Sequence, residues 1–82
     1  MHTSHTLKMI QEYQNQIKFE KRRIAESVEI LKRHVRTGSL LKGMMELERE
    51  TIVRSSQSVA RYESYILTLR NRLTVSAHVG GF

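Results

Sequence analysis

The 82-residue sequence contains no cysteine, no proline, no tryptophan and no aspartate. Without cysteine there are no disulfides and no thiolate metal sites, and the redox compartment is left open. Without proline, nothing in the chain is obliged to break a helix. Glycine is almost as scarce: of the four present, two fall within the last three residues. Every acidic side chain is glutamate, a good helix former. No stretch approaches the ~20 consecutive apolar residues of a membrane span. The opening MHTSHTLKMI lacks the basic start and apolar run of a signal peptide, so a soluble cytoplasmic protein is expected.

What the sequence does contain is a seven-residue repeat. Ile10, Ile17, Ile24 and Leu31 recur at that interval, as do Met45, Ile52, Val59, Ile66 and Leu73. Leu31 and Met45, Ile24 and Ile52, Ile17 and Val59, and Ile10 and Ile66 are each equidistant from Gly38. A heptad repeat gives a helix one narrow apolar seam, and two seams mirrored about a glycine meet level when the chain folds back there. The expected fold is therefore all-α: an antiparallel, coiled-coil-like two-helix hairpin, completed by self-association or by a partner protein.

In chain order, residues 1–5 read as a flexible leader, 6–74 as the hairpin with its turn at 36–39, and 75–82 as a flexible tail. His2 and His5 sit on a free terminus that supplies no rigid metal geometry, and read as solvated. Ser4 or Thr6 is expected to cap the first helix. Its seam is expected to be Leu7, Ile10, Tyr13, Ile17, Ile24, Val28, Leu31 and Val35, with Glu20 and Lys21 standing where an apolar residue is due. The spacing favours ion pairs between Glu29 and Arg33 and between Glu50 and Arg54. Lys32, Arg33, His34 and Arg36 crowd the end of the helix, where they either offset its dipole or contact phosphate or an acidic partner. Gly38 supplies the left-handed turn. Ser39 is expected to cap the second helix, with Gly43 tolerated in its first turn and Val35 and Leu41 closing the end of the hairpin. The second seam comprises Leu41, Met45, Ile52, Val59, Tyr62, Ile66, Leu69 and Leu73, interrupted by Glu48 and Ser55.

Several apolar residues lie off the seam, among them Phe19, Ile30 and Tyr65. Leu40, Met44 and Leu47, at i, i+4 and i+7, form a second stripe; with Val53 and Leu67 they are the expected partner-binding residues, and methionine suits an adaptable binding face. The net charge of +6 raises nucleic acid as a partner, with Lys18, Lys21, Arg22, Arg23, Arg54 and Arg61 as the candidate contacts. Glutamates interspersed on both helices, and the lack of aromatics alternating with the cations, weigh against that alternative of a basic dimer binding RNA or DNA. A heptad stripe is too narrow for a membrane-surface helix. The sequence contains no phosphate loop, no His-Glu-x-x-His and no nucleophile with a nearby base. Neither an enzyme nor a cofactor is implied.

The helix end from Leu31 to Val35, Gly38 in a basic turn, and Glu46, Glu48 and Glu50 leading into a second amphipathic helix carry a resemblance. Over residues 24–69 the chain resembles the small helical-hairpin co-chaperones of bacterial type III secretion systems. These partner a repeat-type chaperone and keep the needle subunit soluble. The resemblance implies a heterologous protein partner, no cofactor and a cytoplasmic location. Needle subunits themselves have a proline-bearing turn, which is missing here, and the Trp-x-Gly turn of type VII hairpins is missing too.

Overall fold

Helix-forming residues and a seven-residue apolar period point the same way along both halves of the chain, so local preference and packing agree. The computed structural model describes residues 2–38 and 42–80, with side chains over 3–38 and 42–75. It contains α1 (His2–Thr37) and α2 (Lys42–Gly80), packed against each other as an antiparallel hairpin of 65 × 15 × 14 Å. No strand occurs among the described residues. At the end of α1, Gly38 adopts φ 62° and its N–H donates to the His34 carbonyl at 2.7 Å. This is the left-handed cap that a residue with a Cβ resists.

Both helices overrun their expected limits. α1 starts at His2, so Ser4 and Thr6 lie inside it rather than at its start. A good capping residue does not stop a helix when nothing upstream breaks it and the next turn, through Met9 and Ile10, is held by packing. α2 runs on past Thr74 to Gly80, because Leu73 still packs against the core and no proline intervenes. Gly43 sits in the first turn of α2 as expected. The expected cap Ser39, the stripe residue Leu40, the end-closing Leu41 and the terminal Phe82 lie outside the described residues.

The seam consists of two rows on each helix, and burial repeats every seven residues along both, which requires the pair to wind gently round each other. The first rows are the expected ones, Ile10 to Leu31 and Met45 to Leu73, all buried or half-buried. The second row of α1 departs from expectation in part: Tyr13 and Glu20 are at expected seam positions, whereas Thr6, Ser27 and His34 are not. It is polar throughout: Thr6, Tyr13, Glu20, Ser27 and His34, with Ser27 only 4% exposed. Leu7 and Val35, expected in the seam, are exposed by 53% and 71%. They fall with Gln14, Lys21 and Val28 on the flank, one step round the helix, so Val35 does not close the hairpin end.

Ring contacts fix the register, with Tyr13 stacked on Tyr62 at 5.7 Å and tilted against Tyr65 at 5.4 Å. Two and four turns further along, the same register sets Glu20 level with Ser55, and Ser27 level with Glu48. Each long glutamate thus shares a layer with a small serine, which lets the axes stay close while the volume is filled. The Glu20 side chain is 12% exposed and lies 3.9 Å from the Arg23 guanidinium, which gives its carboxylate a partner at the seam's edge. Lys21, by contrast, is fully outside.

The tightest packing lies at the end of the hairpin that carries both termini. Ile10, Ile66 and Leu69 are the buried apolar residues, with Met9, Tyr13, Ile17 and Leu73 packed on them. Towards the turn, Ile24, Leu31, Met45 and Ile52 are only half-buried. No large side chain among the described residues is fully enclosed.

Candidate interaction surfaces

A helical period sorts the residues outside the seam onto two sides of the hairpin. Gln14 and Ile17 share a shallow groove with Glu63, Ile66, Leu67 and Arg70, which places the Gln14–Lys21–Val28–Val35 flank of α1 beside the Arg49–Ser56–Glu63–Arg70 flank of α2. Met9 and Tyr13 share a groove of about 210 Å³ with Tyr65, Thr68, Leu69 and Arg72, which defines the opposite side. The first side carries Lys18, Lys21, Lys32, Lys42, Arg49 and Arg70 against Glu46 and Glu63. The second carries Arg23, Arg33, Arg54, Arg61 and Arg72 against Glu12 and Glu26. They are called here the lysine side and the arginine side.

Exposed apolar residues divide in the same way. Among the described residues, Leu7, Val35, Val53 and Leu67 lie on the lysine side, all aliphatic; Phe19, Met44, Leu47, Tyr65 and Val75 lie on the arginine side. The expected partner-binding residues are therefore exposed, each of the four described ones by more than half, but they do not form one surface. Met44 and Leu47 sit together at the turn end on the arginine side, level with half-buried Ile30. Val53 and Leu67 face the other way, and Leu67 is ~30 Å along the axis from Leu47 at 1.5 Å per residue.

The candidate nucleic-acid contacts scatter as well. All are exposed, but Lys18 and Lys21 lie on the lysine side, Arg22 points outward from α1, and Arg23, Arg54 and Arg61 lie on the arginine side. Arg23 lies 5.9 Å from the centroid of the Phe19 ring, an i, i+4 contact whose spacing is the signal in the sequence. Arg23 and Arg54 are engaged by Glu20 and Glu50, each at 3.9 Å. Glu29 pairs with Lys32 at 4.0 Å rather than with Arg33. The two pairs exposed at both partners, Glu29–Lys32 and Glu50–Arg54, are worth well under ~1 kcal/mol each.

At the turn end of the lysine side, Val28, Leu31, Lys32, Val35 and Arg36 line an open groove of about 490 Å³. Its floor is aliphatic and its rim basic. The sequence points to its basic rim, Lys32 and Arg36, as a candidate contact for phosphate or an acidic partner, but not to its aliphatic floor, because apolar spacing places Val28 and Val35 in the seam. Among the described residues no three His, Cys, Asp or Glu side chains gather in one place, and no helix is long and apolar enough to cross a membrane. Comparison with protein-family models, curated proteins and solved structures returns no match.

Proposed function

We propose that the chain is a helical protein-interaction module, acting as a chaperone or assembly partner for a larger protein in the cytoplasm. The observation that carries this reading is the imbalance between buried and exposed apolar surface. Only Ile10, Ile66 and Leu69 of the seam's described apolar residues are buried, while large apolar residues stand exposed on both sides. Apolar surface left on a small hairpin marks a place where another protein docks. The resemblance of residues 24–69 to type III secretion co-chaperones gives the role a concrete form: companion to a repeat-type chaperone in holding a needle subunit soluble.

Light scattering after size exclusion, for the chain alone and with candidate secretion chaperones, tests this. The expected result is a defined complex whose mass falls to that of its components on Met44→Asp, while helix content by circular dichroism is unchanged. A chain that stays monomeric with every candidate, and whose Met44→Asp variant behaves identically, refutes the reading.

A second reading, nucleic acid along the arginine side, draws support from Arg23 over Phe19 and from Arg54 and Arg61 on the same side. It requires a mobility shift with structured RNA or duplex DNA that weakens steeply with salt and with Arg61→Ala.

A further inference from the structure

We propose that the turn end of the lysine side receives an amphipathic helix from a different protein, with its apolar stripe on Val28, Leu31 and Val35 and its acidic flanks against the basic rim. The inference rests on the protein-interaction reading above and adds the site and the chemistry of the partner.

The groove residues Val28, Leu31 and Val35 follow i, i+3, i+7 spacing along α1, the ridge into which a third helix packs its own stripe. Leu31 is half-buried and lines the groove itself, so its open face belongs to this surface. Lys32 and Arg36 edge the groove on α1. Across the seam, the register sets Lys42 level with Val35 and Arg49 level with Val28. Lys32 is held only by an exposed pair with Glu29 at 4.0 Å, which a closer carboxylate displaces at little cost.

The charge on this side decides between occupants. A second copy docking symmetrically would bring the lysine side against itself, setting six cations facing six with two glutamates on each. Nucleic acid would satisfy the cations but leave the aliphatic floor facing phosphates, with no aromatic among the described residues of this side for a base to stack on. A helix carrying apolar residues at the centre and carboxylates on both flanks satisfies floor and rim together.

The test uses a capped, fluorescein-labelled helical peptide of ~20 residues, about 30 Å long, with leucines at i, i+3, i+7 spacing and glutamates on the flanks. A matched peptide carries lysine in place of each glutamate. Anisotropy titration is expected to give saturable binding of the acidic peptide, weakening as salt rises, and none of the lysine peptide. Val35→Asp, and separately Lys32→Glu combined with Arg49→Glu, are expected to weaken binding at least ~tenfold. Val35 is 71% exposed, so helix content and melting of that variant should match the parent. Met44→Asp, on the arginine side, should leave peptide binding unchanged.

Absence of saturable binding, equal binding of both peptides, or parental affinity in Val35→Asp overturns the proposal. If Met44→Asp abolishes complexes with a protein partner while Val35→Asp has no effect on either assay, the interaction reading survives and this site is wrong. If Val35→Asp weakens peptide binding and no Met44-dependent complex forms, the site stands and the arginine-side docking of the broader reading falls.

Discussion

Truncating Ile66 to alanine tests where the hairpin keeps its stability. Ile66 is 6% exposed and packs with Ile10 and Leu69 in the only group of buried apolar residues among those described. Removing a buried aliphatic side chain costs ~2–5 kcal/mol, depending on how far the surroundings relax. Two helices without a third layer can relax or admit water, so the lower part of that range applies, ~2–3 kcal/mol. At ~0.05 kcal/mol per residue, the lower bound for natural domains, the whole chain is stable by only ~4 kcal/mol. Ile66→Ala should therefore remove more than half of the stability and lower the melting temperature by ~10–20 °C. Leu31→Ala, in a half-buried layer near the turn, should cost ~1 kcal/mol, in keeping with its smaller buried area. Urea melts followed by circular dichroism measure both, and adding Ile10→Ala to Ile66→Ala should cost less than the two separately because the side chains share one cluster. Equal costs at Leu31 and Ile66 would refute the reasoning, since they would mean the turn end is covered as well as the terminal end. A Leu31→Ala cost that rises with protein concentration would identify that cover as another copy.

Gly38 and Gly43 should respond in opposite directions. Gly38→Ala forces a Cβ into φ 62°, costing ~1–2 kcal/mol although nothing lies within 4 Å; Gly43→Ala, in open space within α2, should add ~0.5–1 kcal/mol of stability. Thermal melts decide, and the same sign for both would contradict the turn geometry. Ser55, 3% exposed in a layer with Glu20, should tolerate alanine within ~0.5 kcal/mol, whereas Ser55→Leu should cost ~1–3 kcal/mol by overpacking. A stabilising Ser55→Leu would show that the helices are not held close by the serine. The mid-seam substitution Ile52→Asp should abolish cooperative melting, while Arg22→Ala, pointing outward, should leave the melt unchanged.

The sequence by itself determined that the chain is two helices, that they fold back at Gly38, and that one row of each seam runs through Ile10–Leu31 and Met45–Leu73. Helix propensity, glycine geometry and a seven-residue apolar period are local or strictly periodic properties, so they are legible without coordinates. Only the tertiary structure decided the second row of α1. The reading by apolar character chose Leu7, Val28 and Val35. The packed hairpin keeps Tyr13 and Glu20 at the seam, as the spacing implies, but continues that row through Thr6, Ser27 and His34, because the tyrosine contacts and the matching of serine with glutamate across layers fix the rotation of one helix against the other. That rotation moves Val28 and Val35 onto a flank beside lysines and separates Met44 and Leu47 from Val53 and Leu67. Which apolar residues share a face with which charges depends on the angle between two helices, and a one-dimensional pattern leaves that angle free by one step of the heptad.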